Sequence, residues 1–424
     1  RIKTNSEIHS NNQVISKNIC NNYLEHKFNI LGSGWINVKY GIDCKGILGF
    51  KYKDRSRILK KNINFSNRIL SRNITKLISS DYTPIDWHID FKSGYRWQEH
   101  FLSDQIKYGH KKGADVKVPW ELSRMQHLPQ MALFAVQNKN KKIINKIIFE
   151  IKDQILDFIA SNPPGFGVNW ISPMEVGIRA SNWILTLDII YNYFNKFKNQ
   201  EIDIILKSIL KHGQFIIDNL EWSFDRNNHY YSNICSLVFI SSYIHGPSYI
   251  NYWLSFSINE FRIETLRQFC SDGGNFEGST AYHRFGFEML CYTSSIILGC
   301  SKKRLNLLEK IKEKSYKKLN KNFIYNNEQN KKPYYILKEE EEKYILFSYK
   351  FMKRLYNCLD FTKSIIFPDN CIIQIGDNDS GRFFKVLPLY EKLLFLEAKK
   401  RFYYLFNNSE NIKEKFYFNE IHNY

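Results

Sequence analysis

The sequence predicts a mainly α protein built from antiparallel helical hairpins, and three observations lead there. From about Pro119 onward, apolar residues recur at spacings of three and four, the period that lines one face of a helix. The periodic stretches are joined by short polar or Gly/Pro-containing connections, which favour antiparallel neighbours. The third is supply: 43% of the 424 residues are hydrophobic and 16% aromatic, ample for a core and far from disordered compositions.

Taken in order, residues 1–118 lack long helical periodicity and carry short strand-like or irregular pieces such as WINVKYGI and PIDWHIDFKSGYRW, so they read as an N-terminal arm or cap. A helical domain follows over 119–365. Its clearest element is 142–160, where Ile144, Ile148, Ile151, Ile155 and Ile159 form one stripe. Similar segments cover about 121–136, 174–195, 201–220, 229–245, 250–270, 282–299, 303–318 and 340–360. Period alone leaves a bundle, a solenoid and a closed toroid open. The charged stretch from 320 to 345, ending in KEEEEK, reads as a solvated loop or helix start. Residues 366–424 read as a short β-like turn, SIIFPDNCIIQIGDNDSGRFF, followed by a helical segment that begins a truncated C-terminal region. Asp377 and Asp379 sit among turn formers, where a turn is favoured over a cation site.

With 61 Lys and Arg against 42 Asp and Glu, the formal charge is +19, a field that concentrates polyanions of any kind. The basic residues are spread along the chain, and no RNP, helix-turn-helix or finger pattern occurs, which argues against nucleic acid. The eight cysteines form no C-x-x-C pair and no finger-like spacing, so they are assigned to packing, and neither metal nor cofactor is expected. The chain starts at Arg1, which reads as processed or truncated, and no signal-type or transmembrane-length apolar run is found.

Three polar constellations stand beside apolar helix starts. In GVNWISPMEVGIRASNW, Glu175, Arg179 and Asn182 fall on one helix face, and an intrahelical Glu–Arg pair is the plain alternative to ligand binding. In DRNNHYYSN, Asn227 or Asn228 can cap a helix whose first turn holds His229, and such a start favours an anion. In DGGNFEGSTAYHRF, a turn with Gly273, Gly274 and Gly278, of the sort shaped around ligands, leads into a helix carrying Tyr282, His283 and Arg284.

Together with HKFNILGSGW, DFKSGYRW, KVPWELSRMQHLPQ and IGDNDSGR, these stretches, in this order, resemble the heparinase II/III and alginate-lyase superfamily of polysaccharide lyases. The resemblance covers most of the chain. It implies an incomplete (α/α) toroid of helical hairpins, usually followed by an antiparallel β-sandwich, and a secreted or periplasmic location. It also implies an acidic polysaccharide as partner, with Asn228 and the neighbouring His229 neutralising a uronate carboxylate and Tyr282 serving the leaving glycosidic oxygen. Substrate-binding positions would be Trp170, Glu175, Arg179, Asn182, His283 and Arg284. The chain departs from the pattern at its C-terminus, where no sandwich-length series of strands is legible and no further catalytic His or metal ligand set is found.

Uronate β-elimination removes a weakly acidic C5 proton, so the adjacent carboxylate must be neutralised to spread the developing charge, and preorganised donors do this. Tyr282 is the expected proton-transfer group; a phenol titrates near 10 unperturbed, so it needs cations such as Arg179 or Arg284 to act as a base. If it serves only as the acid, either His229 or a further C-terminal His outside this chain takes the C5 proton. Trp170, Trp183 and Trp222 are candidates for stacking on sugar rings. Two other classes stay in play. One is a non-catalytic acidic-glycan-binding or assembly protein on the same fold, and the other is a hydrolase using two of Glu175, Asp272 and Glu277.

Overall fold

The computed structural model describes residues 12–53, 67–309, 311, 338–340, 343–368, 372–378 and 381–386. These are mainly helical with a few short strands, as the sequence predicts. The chain divides into two compact units, one of residues 1–215 with 384–390 and one of 216–383 with 391–424.

The first unit begins with α1 (Asn12–Leu24) and the antiparallel pair β1 (Lys27–Phe28) and β2 (Ile36–Asn37). Then come α2 (Arg68–Thr75), the pair β3 (Ile89–Asp90) and β4 (Tyr95–Arg96), and α3 (Lys117–Ser123). The sequence reading missed α1 and α2, because asparagines and short length dilute their apolar pattern. The rest of the unit is α4 (His127–Gln137), α5 (Lys141–Ser161), α6 (Pro173–Ile189) and α7 (Asn199–Asp218), whose last turn crosses the unit boundary.

α5 is the frame. Asn140 caps it, its side chain accepting from the backbone N–H of Lys142 and Ile143, which satisfies two otherwise orphaned donors. Ile144, Ile148, Ile151 and Ile155 are buried as expected, and Ile159 is half-buried. Removing a side chain of that size from water stabilises by about 1.5–3 kcal/mol. The opposite side of the helix holds the arm down: Asp157 accepts from the Trp87 indole (2.9 Å), the Ile85 amide (3.0 Å) and the Tyr82 hydroxyl (3.2 Å). One long helix expected over 121–136 is instead two, because Met125 sits at φ +51° between α3 and α4 and no helix passes through that left-handed conformation.

The second unit contains α8 (Asn228–Tyr243), α9 (Ser248–Gln268), α10 (Thr280–Leu298), α11 (Lys302–Glu309) and α12 (Tyr349–Ser364). Only four residues separate α8 from α9, so α9 folds back along α8, and α10 packs on α8 as well. Their shared core is aromatic: Tyr231 stacks on Phe261 at 5.7 Å, Phe261 meets Phe351 of α12 at 5.7 Å, and the Tyr231 hydroxyl is satisfied by Thr265 at 2.9 Å. The helix expected over 340–360 begins later, at Tyr349. It is preceded by the antiparallel pair β5 (Lys338–Glu340) and β6 (Lys343–Ile345), so Glu339 and Glu340 lie in a strand rather than at a helix start. Half of the predicted 303–318 helix and nearly all of the C-terminal helical stretch lie outside the described residues.

Five cysteines are buried as free thiols, which fits packing, whereas Cys270 is exposed; Cys371 lies outside the described residues. Among the described residues no helix is long and apolar enough to cross a membrane, and no cluster of His, Cys, Asp and Glu has the makings of a metal site.

Candidate active site

The site is built at the first turn of α8. Asn227 is the N-cap, its Oδ1 accepting from the His229 amide at 3.1 Å, which puts Asn228 and His229 at the helix start. Free backbone N–H groups and the helix dipole favour an anion there. The anion present is internal. Glu277, from the turn before α10, takes the Asn228 backbone N–H at 2.9 Å and both carboxylate oxygens are bound by Asn228 Nδ2, at 3.1 and 2.9 Å. Burial raises the Glu277 pKa, while the backbone and side-chain bonds from Asn228 and the charge of His229 pull it down, with burial prevailing.

His229 is oriented from the other side. Its Nδ1 lies 2.9 Å from Glu221 Oε1, and Glu221 is itself held by Asn233, whose Nδ2 donates to Oε2 at 2.9 Å and whose Oδ1 accepts the Glu221 amide at 2.9 Å. Behind the turn, Arg226 ion-pairs with buried Glu264 at 2.7 Å and lies 5.2 Å from the ring of Trp222. Gln268 ties the chain to α9 by donating to the carbonyls of Arg226 and Asn227.

Tyr282 lies in the first turn of α10, five residues beyond Glu277 and half-buried. Ser279 caps that helix: its Oγ accepts from the Ala281 and Tyr282 amides, both at 3.1 Å, and donates to the Asp377 carbonyl at 2.6 Å. The IGD turn is thus docked on the start of α10, and Gly376 at φ +70° allows it, since a Cβ there would lie 2.8 Å from the Gly278 carbonyl oxygen. Asp379 is outside the described residues.

The glycines of this turn work differently from the expectation that they shape a ligand loop. Gly273 has φ +93°, and a Cβ on it would come within 2.1 Å of the Asn357 backbone, while one on Gly274 would meet the Phe361 ring at 2.9 Å. They let the turn touch α12. Gly278, at φ +68°, has open space where its Cβ would be.

The structure brings Asn228 and His229 together, joined by Glu277 to the turn that precedes Tyr282. Among the expected substrate contacts, the buried ones are engaged within the fold. His283 is 1% exposed, its Nε2 2.8 Å from Thr362 Oγ1, and burial lowers its pKa to about 4, so it is a neutral packing group. Arg284 is half-buried, its Nε donating to the Thr280 carbonyl at 3.3 Å on its own helix.

The first constellation lies in the other unit and faces inward. Glu175 is 1% exposed and forms a two-pronged pair with Arg124, at 2.5 and 2.7 Å, instead of the expected pair with Arg179. Arg179 is fully buried, donating to His212 Nε2 at 2.9 Å and to the Asn169 carbonyl at 3.1 Å. Burial lowers its pKa to about 9, with Glu175 opposing, which leaves it charged at neutral pH. Asn182 turns its amide onto the Ile178 carbonyl of its own helix at 2.9 Å, and Trp170 packs between His212 and Phe215 with its indole on the Asn162 carbonyl. Side chains without surface cannot touch a ligand, so these four hold the scaffold. Trp183 is likewise core, whereas Trp222 is 41% exposed.

Glu221 and the gripping role of Glu277 escaped the sequence reading. Glu277 at least lies within its polar motif, whereas Glu221 stands four residues ahead of DRNNHYYSN, and nothing in the spacing says which side chain either acid meets.

The family model for the heparinase II/III N-terminus matches residues 45–326, well over half of the chain. The chain belongs to the heparinase II/III family, and its fold is mainly α. Among solved structures it is similar to the heparan sulfate lyase HepC from Pedobacter heparinus, at 15% identity and a TM-score of 0.46, over 88% of this chain and 41% of that one. It is also similar to a heparinase III, the BT4657 gene product, at 16% identity and a TM-score of 0.40, over 78% of this chain and 43% of that one. The chain therefore spans less than half the length of these structures. Curated protein sequences give no match.

Proposed function

We propose that this chain is the glycan-facing helical part of a polysaccharide lyase that cleaves a uronic-acid-containing acidic polysaccharide by β-elimination. The observation that carries the reading is the grip of Asn228 on a carboxylate. Three N–H···O contacts at a helix start hold the Glu277 carboxylate, and a uronate carboxylate presents the same two oxygens. Donors fixed in advance and aimed at a carboxylate stabilise the enolate-like charge that follows removal of the C5 proton, an effect of about 10²–10³-fold per donor in other sites. Tyr282, at the start of the neighbouring α10, serves the departing glycosidic oxygen, and a placed acid or base adds about 10²–10⁴-fold. The net charge of +19 raises the local concentration of such polymers.

The hydrolase alternative loses support from the same geometry. Glu175 is buried in its pair with Arg124, Asp272 accepts the Gly274 amide at 2.9 Å, and Glu277 is engaged by Asn228. The test is a screen of heparan sulfate, alginate and other uronate polymers for a gain in ultraviolet absorbance, run on this chain and on a longer one extended at its C-terminus. Elimination leaves an unsaturated, absorbing uronate end. Binding without absorbance in either chain would leave the glycan-binding reading standing, and absence of binding to every acidic polymer would overturn both.

A further inference from the structure

The contact between His229 and Glu221 fixes more than a ring orientation. At neutral pH a carboxylate only accepts hydrogen bonds, so an imidazole nitrogen 2.9 Å from Glu221 Oε1 must be the one that carries the proton. That nitrogen is Nδ1. A neutral His229 is then the Nδ1–H form, and its lone pair sits on Nε2 alone.

Glu221 is well placed to impose this form because it is not a wandering surface acid. Asn233, wholly buried in α8, donates to its second oxygen and accepts from its amide, so the carboxylate is held at both ends by the helix that carries His229. Asn227 fixes the backbone between them by capping the His229 amide. The chain Asn233–Glu221–His229 has the logic of other orienting carboxylates. A buried amide holds an acid, the acid holds one ring nitrogen, and the lone pair falls on the opposite nitrogen.

We infer that Glu221 is a positioning residue that locks His229 as the Nδ1–H tautomer and makes Nε2 the proton acceptor of the site. The inference rests on the proposed lyase reading for the identity of the proton, the one on C5 of the uronate, but not for the tautomer. In the elimination, His229 Nε2 takes that proton, the electron pair forms the C4–C5 double bond, and the C4–O bond breaks with Tyr282 supplying a proton to the departing oxygen. One proton is taken up and one delivered, so no external reductant or oxidant enters. Glu277 is the other acid whose field His229 feels.

The tautomer is read directly by two-dimensional ¹H–¹⁵N correlation of the ring nitrogens in the full chain labelled with ¹⁵N-histidine, with the His229 signals assigned through His229→Gln. The expected wild-type pattern at a pH above the His229 midpoint is a single Nδ1–H form. In Glu221→Ala the pattern shifts to a mixture in which the Nε2–H form, favoured by free imidazole, predominates. Glu221→Gln keeps the shape without the charge and lowers the His229 titration midpoint, while Asn233→Asp, which removes the amide donor, partly releases the lock. A wild-type His229 in the Nε2–H form, or a pattern unchanged by Glu221→Ala, overturns the inference even if a variant proves unstable, because the wild-type spectrum alone can refute it. In a chain that turns over, Glu221→Ala should lower kcat at least about tenfold with KM little changed and shift the acid limb of the pH profile. Failure of every chain to turn over would count against the lyase reading and leave the tautomer result standing.

Discussion

Glu260 is the acid on which the first turn of α8 leans, and its replacement by Gln gives a sharp test of how that turn is held. The buried Tyr230 donates its hydroxyl to Glu260 Oε2 at 2.7 Å. Burial pushes the Glu260 pKa up to about 7, opposed by the Tyr230 hydrogen bond and Arg226 and reinforced by Glu264. A carboxyl group whose folded pKa exceeds its unfolded value binds its proton more tightly when folded. Its contribution is complete below the unfolded value of 4.5 and is lost as pH rises through about 7. At 1.36 kcal/mol per unit, the loss is about 3 kcal/mol. Glu260→Gln keeps an acceptor for Tyr230 and never ionises. Relative to wild type it should therefore gain about 2–3 kcal/mol between roughly pH 4.5 and pH 8. Urea unfolding of both proteins followed by fluorescence at several pH values measures this difference. A gap between variant and wild type that stays constant across that range would refute the reasoning.

Arg124→Ala strands the buried Glu175 carboxylate and should cost about 3–5 kcal/mol in denaturant unfolding, with a smaller loss when Glu175→Gln accompanies it. Tyr282→Phe in a chain that turns over should reduce kcat by about 10²–10⁴-fold and leave the affinity for an acidic polysaccharide nearly intact; unchanged kcat would remove Tyr282 from the mechanism. Asn228→Ala should instead weaken both binding and rate, measured by titration and by initial rates. Affinity for heparan sulfate or alginate should fall steadily as salt is raised from about 0.05 to 0.5 M, with no such trend for a neutral glycan, because screening shortens the reach of exposed charges.

What the sequence makes legible here is local. The isoleucine stripe of α5 reads directly, since four residues separate successive ridges and the period survives any tertiary context. The cap of α8 reads almost as well, because Asn227 or Asn228 beside an apolar run leaves few other fates for the side chain. Long-range partners do not read. Glu175 and Arg179 share a face, which made them a pair or a ligand site on paper, yet the cation that meets Glu175 is Arg124, 51 residues away in α3's wake. The same blindness hid the grip on Glu277, 49 residues from Asn228. The glycines of DGGNFEG announced an unusual backbone, and two of them have it, but only the position of α12 reveals that Gly273 answers a neighbouring backbone rather than a ligand. At Met125 itself the sequence carries no turn former, but Pro129, four residues on, has no N–H for the Met125 carbonyl, a break signal that the 121–136 reading passed over.

The Asn228 grip on Glu277 also bears on what kind of molecule can enter. Its donors are never idle, so an incoming carboxylate arrives by exchange: one acid leaves the receptor, charged into solvent or protonated in place, as another takes its position. Exchange between like groups is nearly thermoneutral. A small acid, offering little beyond its carboxylate, has small reason to win that competition, whereas a chain of sugars brings contacts at neighbouring residues that Glu277 cannot match. On the proposed lyase reading, a receptor of this kind would discriminate by length before it discriminates by chemistry.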